Sequence, residues 1–283
     1  MSWNPGPAWL FCPADRPERW AKAAAVADVV IIDLEDAVPP GGKSAARDAL
    51  RGADLDPDRT VLRINAAATP EHDEDVALLT DLPLRRIMLA KAESPAPVAA
   101  LENHEVVVLV ESPLGIERVG ELVRAPNVVG VMWGADDLVA GLGGTSSRYP
   151  DGRYRDVARY ARSRTLVAAK ASGRLAIDAV HMDIADTDGL RGECEDAVAV
   201  GFDATVAIHP RQLPVIRAAY TPDEEQVRWA HRLLAAVGGE GGVTTFEGRM
   251  VDGPIYRQAQ RILRLSDHPP AGPGRVDVGD TGR

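Results

Sequence analysis

A chain of 283 residues, 45% of them hydrophobic, holds enough apolar material for one large barrel or two small domains. The formal net charge of −10 and the lack of a long basic run argue against nucleic acid and anionic membranes as partners, since both need clustered Lys and Arg. No stretch approaches the roughly 20 apolar residues of a membrane helix. The N-terminus lacks the basic-then-apolar pattern of a signal peptide. Cys12 and Cys194 stand too far apart to read as a disulfide framework, so a reducing cytoplasm is expected.

Short apolar runs alternate with helical patterns. Strands are expected at 8–14, 28–36, 60–65, 85–92, 105–112, 128–138, 174–180 and 202–210. Several are apolar at nearly every position, as in parallel strands covered on both faces. Helical patterns lie between them. The first, PERWAKAAAVA, carries Pro17 near its start, where a missing N–H matters least. The longest is YRDVARYARSRTLVAAKASG. Eight such units predict an α/β chain, a (β/α)8 TIM barrel with a C-terminal extension, the barrel occupying 1–236. The alternative is a doubly wound open sheet. Its GxGxxG fingerprint is absent after the first strand, and GLGG at 141–144 is too short to count. Next, TPDEEQVRWAHRLLAA predicts a helix capped by Thr221, with Pro222 first and Glu224 three residues after the cap. GGEGG at 238–242 breaks the chain. The extension, 237–283, reads as a short extended piece, a final helix and a disordered Pro/Gly-rich tail.

In such a barrel the site lies at the C-terminal ends of the strands. There the sequence places Asp33, Glu35 and Asp36, then Arg63 and Asn65, Lys91 and Glu93, Glu111 and Ser112, Asp136 and Asp137, and His209. That many acids on one rim repel unless cations sit among them. Arg63 and Lys91 supply part of that charge, and a hard divalent cation such as Mg²⁺ supplies the rest. The absence of a His/Cys cluster argues against zinc. A lone acid at a strand end is more often a helix cap or an ion-pair partner, and Asp36 before AVPP fits such a cap. Arg63 either pairs with the DLED acids or holds a substrate oxygen. Acidic surroundings raise the pKa of Lys91, which favours charge balance over Schiff-base chemistry. His209 is either a base or a packed, hydrogen-bonded histidine. Cys12 reads as a core residue, and neither a GxSxG elbow nor a Ser/His/Asp triad is present.

The ordered segments LFCPADRPER, IIDLEDAVPPGGKSAAR, LRINAAATP, LAKAES, LVESPLGI, WGADDL and FEGRMVDGP resemble the citrate lyase β-subunit family, within the malyl-CoA and citramalyl-CoA lyases and HpcH/HpaI aldolases. The resemblance runs from residue 8 to about 265. It implies a Mg²⁺-dependent carbon–carbon lyase on a (β/α)8 barrel. Such an enzyme cleaves a 3-hydroxy acyl-CoA thioester of citramalyl-, malyl- or citryl type to acetyl-CoA and a 2-oxoacid. It implies that Glu111 and Asp137 hold the metal, that Glu35 and Asp36 support its waters, and that Arg63 contacts substrate and the thioester oxygen. It implies Asp252 as the acid/base, reaching a neighbouring subunit's site in a homotrimer or a hexamer of trimers. The first motif departs from the family, reading PADRPER where many members have PGN or PGS, which bears on how Arg16 meets the ligand. Arg16, Lys22, Lys43, Arg47 and Arg249 are candidate cations for the CoA phosphates, with surface solvation the plainer reading of each. Alternative activities are a thioesterase or malate-synthase-like reaction on the same enolate machinery, a class II aldolase acting on free pyruvate, and a non-catalytic binding protein.

Overall fold

The computed structural model describes residues 3, 5–237 and 244–267. The GGEGG break and the tail beyond Asp267 lie outside the described residues. Eight parallel strands close into a barrel: β1 (Ala8–Pro13), β2 (Val29–Asp33), β3 (Thr60–Ile64), β4 (Arg86–Leu89), β5 (Glu105–Val110), β6 (Val128–Trp133), β7 (Leu175–Asp178) and β8 (Ala204–Ala207). Strand β8 pairs back onto β1. Around them run α1 (Pro17–Val26), α2 (Lys43–Arg51), α3 (Pro70–Leu79), α4 (Pro95–Ala100), α5 (Pro113–Leu122), α6 (Ala135–Gly141), α7 (Asp156–Ala171), α8 (Thr187–Val200) and α9 (Leu213–Tyr220). The barrel expectation is borne out, and each expected strand contains an observed one. Proline opens α1, α3, α4 and α5, where its fixed φ suits the first turn.

Period-two alternation sorts each strand into two apolar layers. Trp9, Val29, Ile31, Val61, Met88, Val107, Leu109, Met132 and Ile177 cluster inside the barrel. Leu10, Val30, Ile32, Leu62, Ile87, Val108 and Val131 face the helices. Each fully buried side chain of this size contributes about 1.5–3 kcal/mol. The inward row continues to the C-terminal mouth. Val29 and Ile31 are followed two residues on by Asp33, Val61 by Arg63, and Leu109 by Glu111. Apolar rows thus end in charge at one rim.

Three local expectations are corrected. The sixth strand stops at Trp133 rather than reaching 138, because extended Gly134 caps α6. Asp136 and Asp137 therefore sit in the first turn of α6, where carboxylates complement the helix dipole. The helix after β8 and α9, here α10 (Glu224–Val237), is not capped by Thr221. The Thr221 hydroxyl donates to the Arg217 carbonyl at 2.8 Å, closing α9 instead. Asp223 caps α10: its carboxylate accepts the Gln226 N–H at 2.7 Å, and the Gln226 side chain accepts the Asp223 N–H at 2.9 Å.

Lys43 and Arg47, two candidate phosphate cations, are buried in the framework under the mouth. The Lys43 ammonium donates to the Leu34 and Glu35 carbonyls at 2.8 and 2.9 Å and to Asn65 Oδ1 at 2.6 Å. Arg47 pairs with Glu74 and, at 2.7 Å, with Asp75. Asp75, fully buried, also accepts the Asn65 backbone and side-chain N–H groups at 2.8 and 2.6 Å. Asn65 is architectural in the same way.

Beyond α10, the hairpin β9 (Thr244–Phe246) and β10 (Arg249–Val251) turns through Glu247 and Gly248, both at positive φ, as a two-residue hairpin turn requires. Helix α11 (Gly253–Asp267) follows. Val251, Tyr256 and Ala259 cluster with Ala230 and Leu233 of α10. Arg261 of α11 reaches the Phe202 carbonyl at 2.5 Å and lies 3.6 Å from Asp203, both just before β8. The extension is therefore anchored at the barrel end opposite the charged mouth. Asp75→Ala removes the buried partner of Arg47 and Asn65 and should cost about 3–5 kcal/mol, read from the urea midpoint; a loss under 1 kcal/mol would mean the cluster under the mouth carries no stability.

Candidate active site

At the C-terminal mouth lies a cavity of about 420 Å³. Its charged wall is Asp33, Asp36, Arg63, Glu111, Asp136 and Asp137, and its apolar wall includes Phe11, Leu109, Met132, Val180 and Ile208. Arg63 is held from below. Asp33 accepts its Nε–H and Nη2–H at 2.6 Å each, and Glu35 lies 3.1 Å from Nη1. The guanidinium also stacks over Phe11, 4.6 Å from the ring centre. The guanidinium carries five N–H groups, so donors remain for a ligand. Burial works against its charge, yet the Asp33, Glu35 and Glu111 carboxylates raise its pKa further. Asp33 is saturated, because it also accepts the Glu35 and Ala37 N–H groups at 2.9 and 3.1 Å. Its part is to aim Arg63, a role the strand-end pattern alone did not single out.

Lys91 rises into the acids from the turn after β4. Its Nζ contacts Glu35 and stands 3.2 Å from Asp36, 3.4 Å from Asp137 and 4.0 Å from Glu111. Its N–H donates to Glu111 at 3.2 Å. Strand alternation after inward Met88 points Ala90 inward and Lys91 outward; a left-handed backbone at Lys91, φ 47°, breaks that alternation. Burial alone would lower the lysine's pKa, but the carboxylates raise it well above the usual range. This agrees with the charge-balancing expectation. Burial opposes ionisation of Asp36, and the charge and hydrogen bond of Lys91 overcome it, holding that carboxyl below its usual range. Burial raises Glu35 despite Arg63 and Lys91. Burial likewise pushes Glu111 up to about 8.

Glu111 needs room that only glycine leaves. A Cβ on Gly134 would stand 2.8 Å from Glu111 Oε2 and 2.9 Å from its Cβ. Gly134 and the hydrogen-bonded Trp133 beside it were not picked out as site residues; the glycine before two acids in WGADD was the available signal. Glu111 and half-exposed Asp137 offer hard oxygen donors on facing elements. Among the described residues no three His, Cys, Asp or Glu side chains converge into a closed cage. Mg²⁺ typically takes one or two carboxylates and keeps waters and substrate oxygens, so the donor set fits that ion and fits zinc poorly.

Other expected residues take other parts. Asp136 accepts the Ser147 hydroxyl at 2.6 Å and so ties down a loop. His209 caps the turn before α9, its Nδ1 accepting the Arg211 N–H at 3.1 Å, which favours the packed reading over a base. Cys12 is buried, as expected. Arg16 is exposed at the β1 rim, 3.8 Å from Asp15, and does not line the cavity. Asp252 lies at the start of α11, where its carbonyl accepts the Ile255 and Tyr256 N–H groups, and it too is outside the cavity lining. Lys22 and Arg249 are exposed. A larger cleft, about 720 Å³, opens between the 147–154 loop and α8. Its main arginines are engaged already, Arg148 with Glu193 and Arg162 with Asp178 and Asp196. The smaller cavity is the better candidate because it gathers the strand-end acids and Arg63 at the C-terminal mouth, where barrel enzymes place their sites.

The chain matches the HpcH/HpaI aldolase/citrate lyase family over residues 8–210. It belongs to that family. A citrate lyase subunit beta-like protein of Mycobacterium tuberculosis is 56% identical over 259 residues, covering 92% of this chain and 95% of the relative. An L-malyl-CoA/beta-methylmalyl-CoA lyase of Cereibacter sphaeroides is 31% identical, covering 93% and 95%. Among solved structures, CitE of Mycobacterium tuberculosis in complex with magnesium, acetoacetate and coenzyme A superposes with a TM-score of 0.89 at 55% identity, covering 93% of this chain and 98% of that one. The expectation of a lyase of this family therefore stands. Among the described residues, no helix is long and apolar enough to cross a membrane.

The raised pKa of Glu111 has a pH signature in chelator-treated protein. Between the free carboxyl value of 4.5 and about 8, the folded state keeps a proton that the unfolded state has released. Its contribution to stability is thus full below 4.5 and is lost as pH rises through 8. In EDTA, Glu111→Gln should flatten the fall in unfolding free energy from pH 5 to 8; an unchanged slope would mean that Glu111 is ionised in the metal-free fold.

Proposed function

We propose that this protein is a Mg²⁺-dependent lyase that cleaves a 3-hydroxy acyl-CoA thioester to acetyl-CoA and a small 2-oxoacid. The observation that carries the reading is Arg63, clamped by Asp33 with donors to spare, beside the Glu111–Asp137 acid pair in one cavity. Glu111 and Asp137 would hold the metal, with Glu35 and Asp36 orienting its waters. When bound, Mg²⁺ supplies Lewis-acid polarisation of the oxygen on the acid half. Asp252, the acid/base, takes the hydroxyl proton as the adjacent carbon–carbon bond breaks, leaving the acetyl-CoA half as an enolate. Arg63 holds the thioester oxygen as that charge develops, an interaction worth about 3–4 kcal/mol per preorganised donor. Asp252 is the acid that returns a proton to the enolate carbon. Its place just before α11, outside the cavity of its own chain, fits donation to a neighbouring copy in a homotrimer or a hexamer of trimers. Arg16, Lys22 and Arg249 are the exposed candidates for the CoA phosphates.

The cavity also supports a choice of acid half. Among the described residues that line it, Arg63 is the single cation, and it already faces two carboxylates. The remaining walls are largely apolar. A second substrate carboxylate, as in the citryl type, would have to share the remaining Arg63 donors with the thioester oxygen, whereas a methyl group would meet Leu109, Met132 and Ile208. A pyruvate-yielding citramalyl-CoA is therefore the favoured substrate.

Purified protein with Mg²⁺ should release acetyl-CoA and pyruvate from citramalyl-CoA at a kcat/KM at least tenfold above that for citryl-CoA, followed by mass spectrometry. Equal rates would overturn the acid-half assignment, and free CoA in place of acetyl-CoA would mark the thioesterase alternative. Glu111→Ala and Asp137→Ala should each remove Mg²⁺-dependent cleavage without unfolding the barrel. Full activity of either, or of the wild type in excess EDTA, would sink the metal assignment.

A further inference from the structure

Lys91 does more than the proposed reaction requires of it. Its ammonium stands within 4.0 Å of four carboxylates, two of which, Glu111 and Asp137, are the proposed metal ligands. Among the described residues, Lys91 and Glu247 are the non-glycine residues at positive φ. Glu247 has an ordinary reason, a two-residue hairpin turn. Lys91 lies in the turn that leads from β4 to α4, where no hairpin has to close. A left-handed lysine is strained, and strain of this kind persists only where surrounding structure demands it. Here the strained turn sends the N–H to Glu111 and the side chain across the acids. Arg63 cannot take over this task, because Asp33 and Glu35 already engage it from below.

We infer that Lys91 is a resident counter-cation that competes with the divalent ion for the oxygens of Asp137 and Glu111 and so sets how tightly the metal is held. The inference rests on the magnesium reading above. Two cations that share oxygens a few ångströms apart repel strongly in a partly buried site. A tethered ammonium cannot diffuse away, so it weakens the hold on every incoming Mg²⁺. In the metal-free protein it neutralises acids that would otherwise face one another unpaired. Lys91 acts through the ligands, as a positioning residue, and has no need to touch the substrate.

The test is calorimetric titration of Mg²⁺ into the metal-stripped full-length chain. Glu111→Gln first establishes the site, with at least tenfold weaker binding than wild type. Lys91→Met and Lys91→Gln should then bind Mg²⁺ at least tenfold more tightly than wild type, while Lys91→Arg, which keeps the charge, should stay within threefold. In EDTA both neutral variants should melt several degrees below wild type, and saturating Mg²⁺ should close the gap. Should Lys91→Met fail to fold, Lys91→Gln, whose amide still donates to the acids, carries the comparison. Unchanged or weaker Mg²⁺ binding in the folded neutral variants overturns the counter-cation role and leaves the metal reading standing. No Mg²⁺ binding by the wild type overturns the metal reading itself.

Discussion

The mouth of this barrel gathers acids in a partly buried space, and the rest of the site is organised around that fact. Carboxylates that share a low-dielectric rim repel one another and resist ionisation. The chain answers with two cations of different design. Arg63 stands on an inward strand position and is aimed by a bidentate acid below it. Lys91 comes from a strained turn and spreads one charge over four neighbours. The difference follows from chemistry. A planar guanidinium suits a fixed fork, and a compact ammonium suits a cluster. Each pairing leaves something over: N–H donors on Arg63, and oxygens on Glu111 and Asp137.

Much of the fold was legible because physics repeats it. Eight apolar runs of strand length, each followed by a helical pattern, leave few architectures that can bury both faces. Alternation then fixes which strand-end residues look inward, and Asp33, Arg63 and Glu111 follow from counting by two along their strands. What was not legible was non-local. Lys43 and Arg47 read as surface cations in a helix with charge along its length, and only the packing of α2 against the β2 and β3 ends shows them satisfied by Leu34, Asn65 and Asp75. Thr221 and Pro222 form a plausible helix start, but the hydroxyl was taken by the preceding helix and Asp223 filled the vacant role. The sixth strand was read too long because Gly134 is silent about direction until Glu111 is seen beside it.

The extension raises a different kind of constraint. Its apolar face is used against α10, and Arg261 fixes it near the start of β8, at the end of the barrel away from the acids. The Asp252 carbonyl is engaged at the first turn of α11. A residue so placed serves chemistry at a mouth only if a mouth is brought to it. The proposed assembly of several copies meets that need without moving the extension, and it makes the proposed acid, Asp252, a group that a single chain does not bring to its own cavity.

The apolar wall is as much part of the chemistry as the charges. Phe11, Leu109 and Met132 exclude water from one side of the cavity, and the same desolvation lifts Glu111 far above an ordinary carboxyl. A medium that penalises an unpaired carboxylate also strengthens a paired one. In the proposed reaction, an enolate oxygen forming against Arg63 would meet donors already in position, with little solvent to reorganise. The charge on Arg63 could not be preorganised in this way without Asp33, since an isolated guanidinium would be as costly there as an isolated acid. The buried pair beneath the cavity and the apolar wall beside it therefore serve one end: in the proposed reaction they keep the Arg63 donors fixed where the new charge would form.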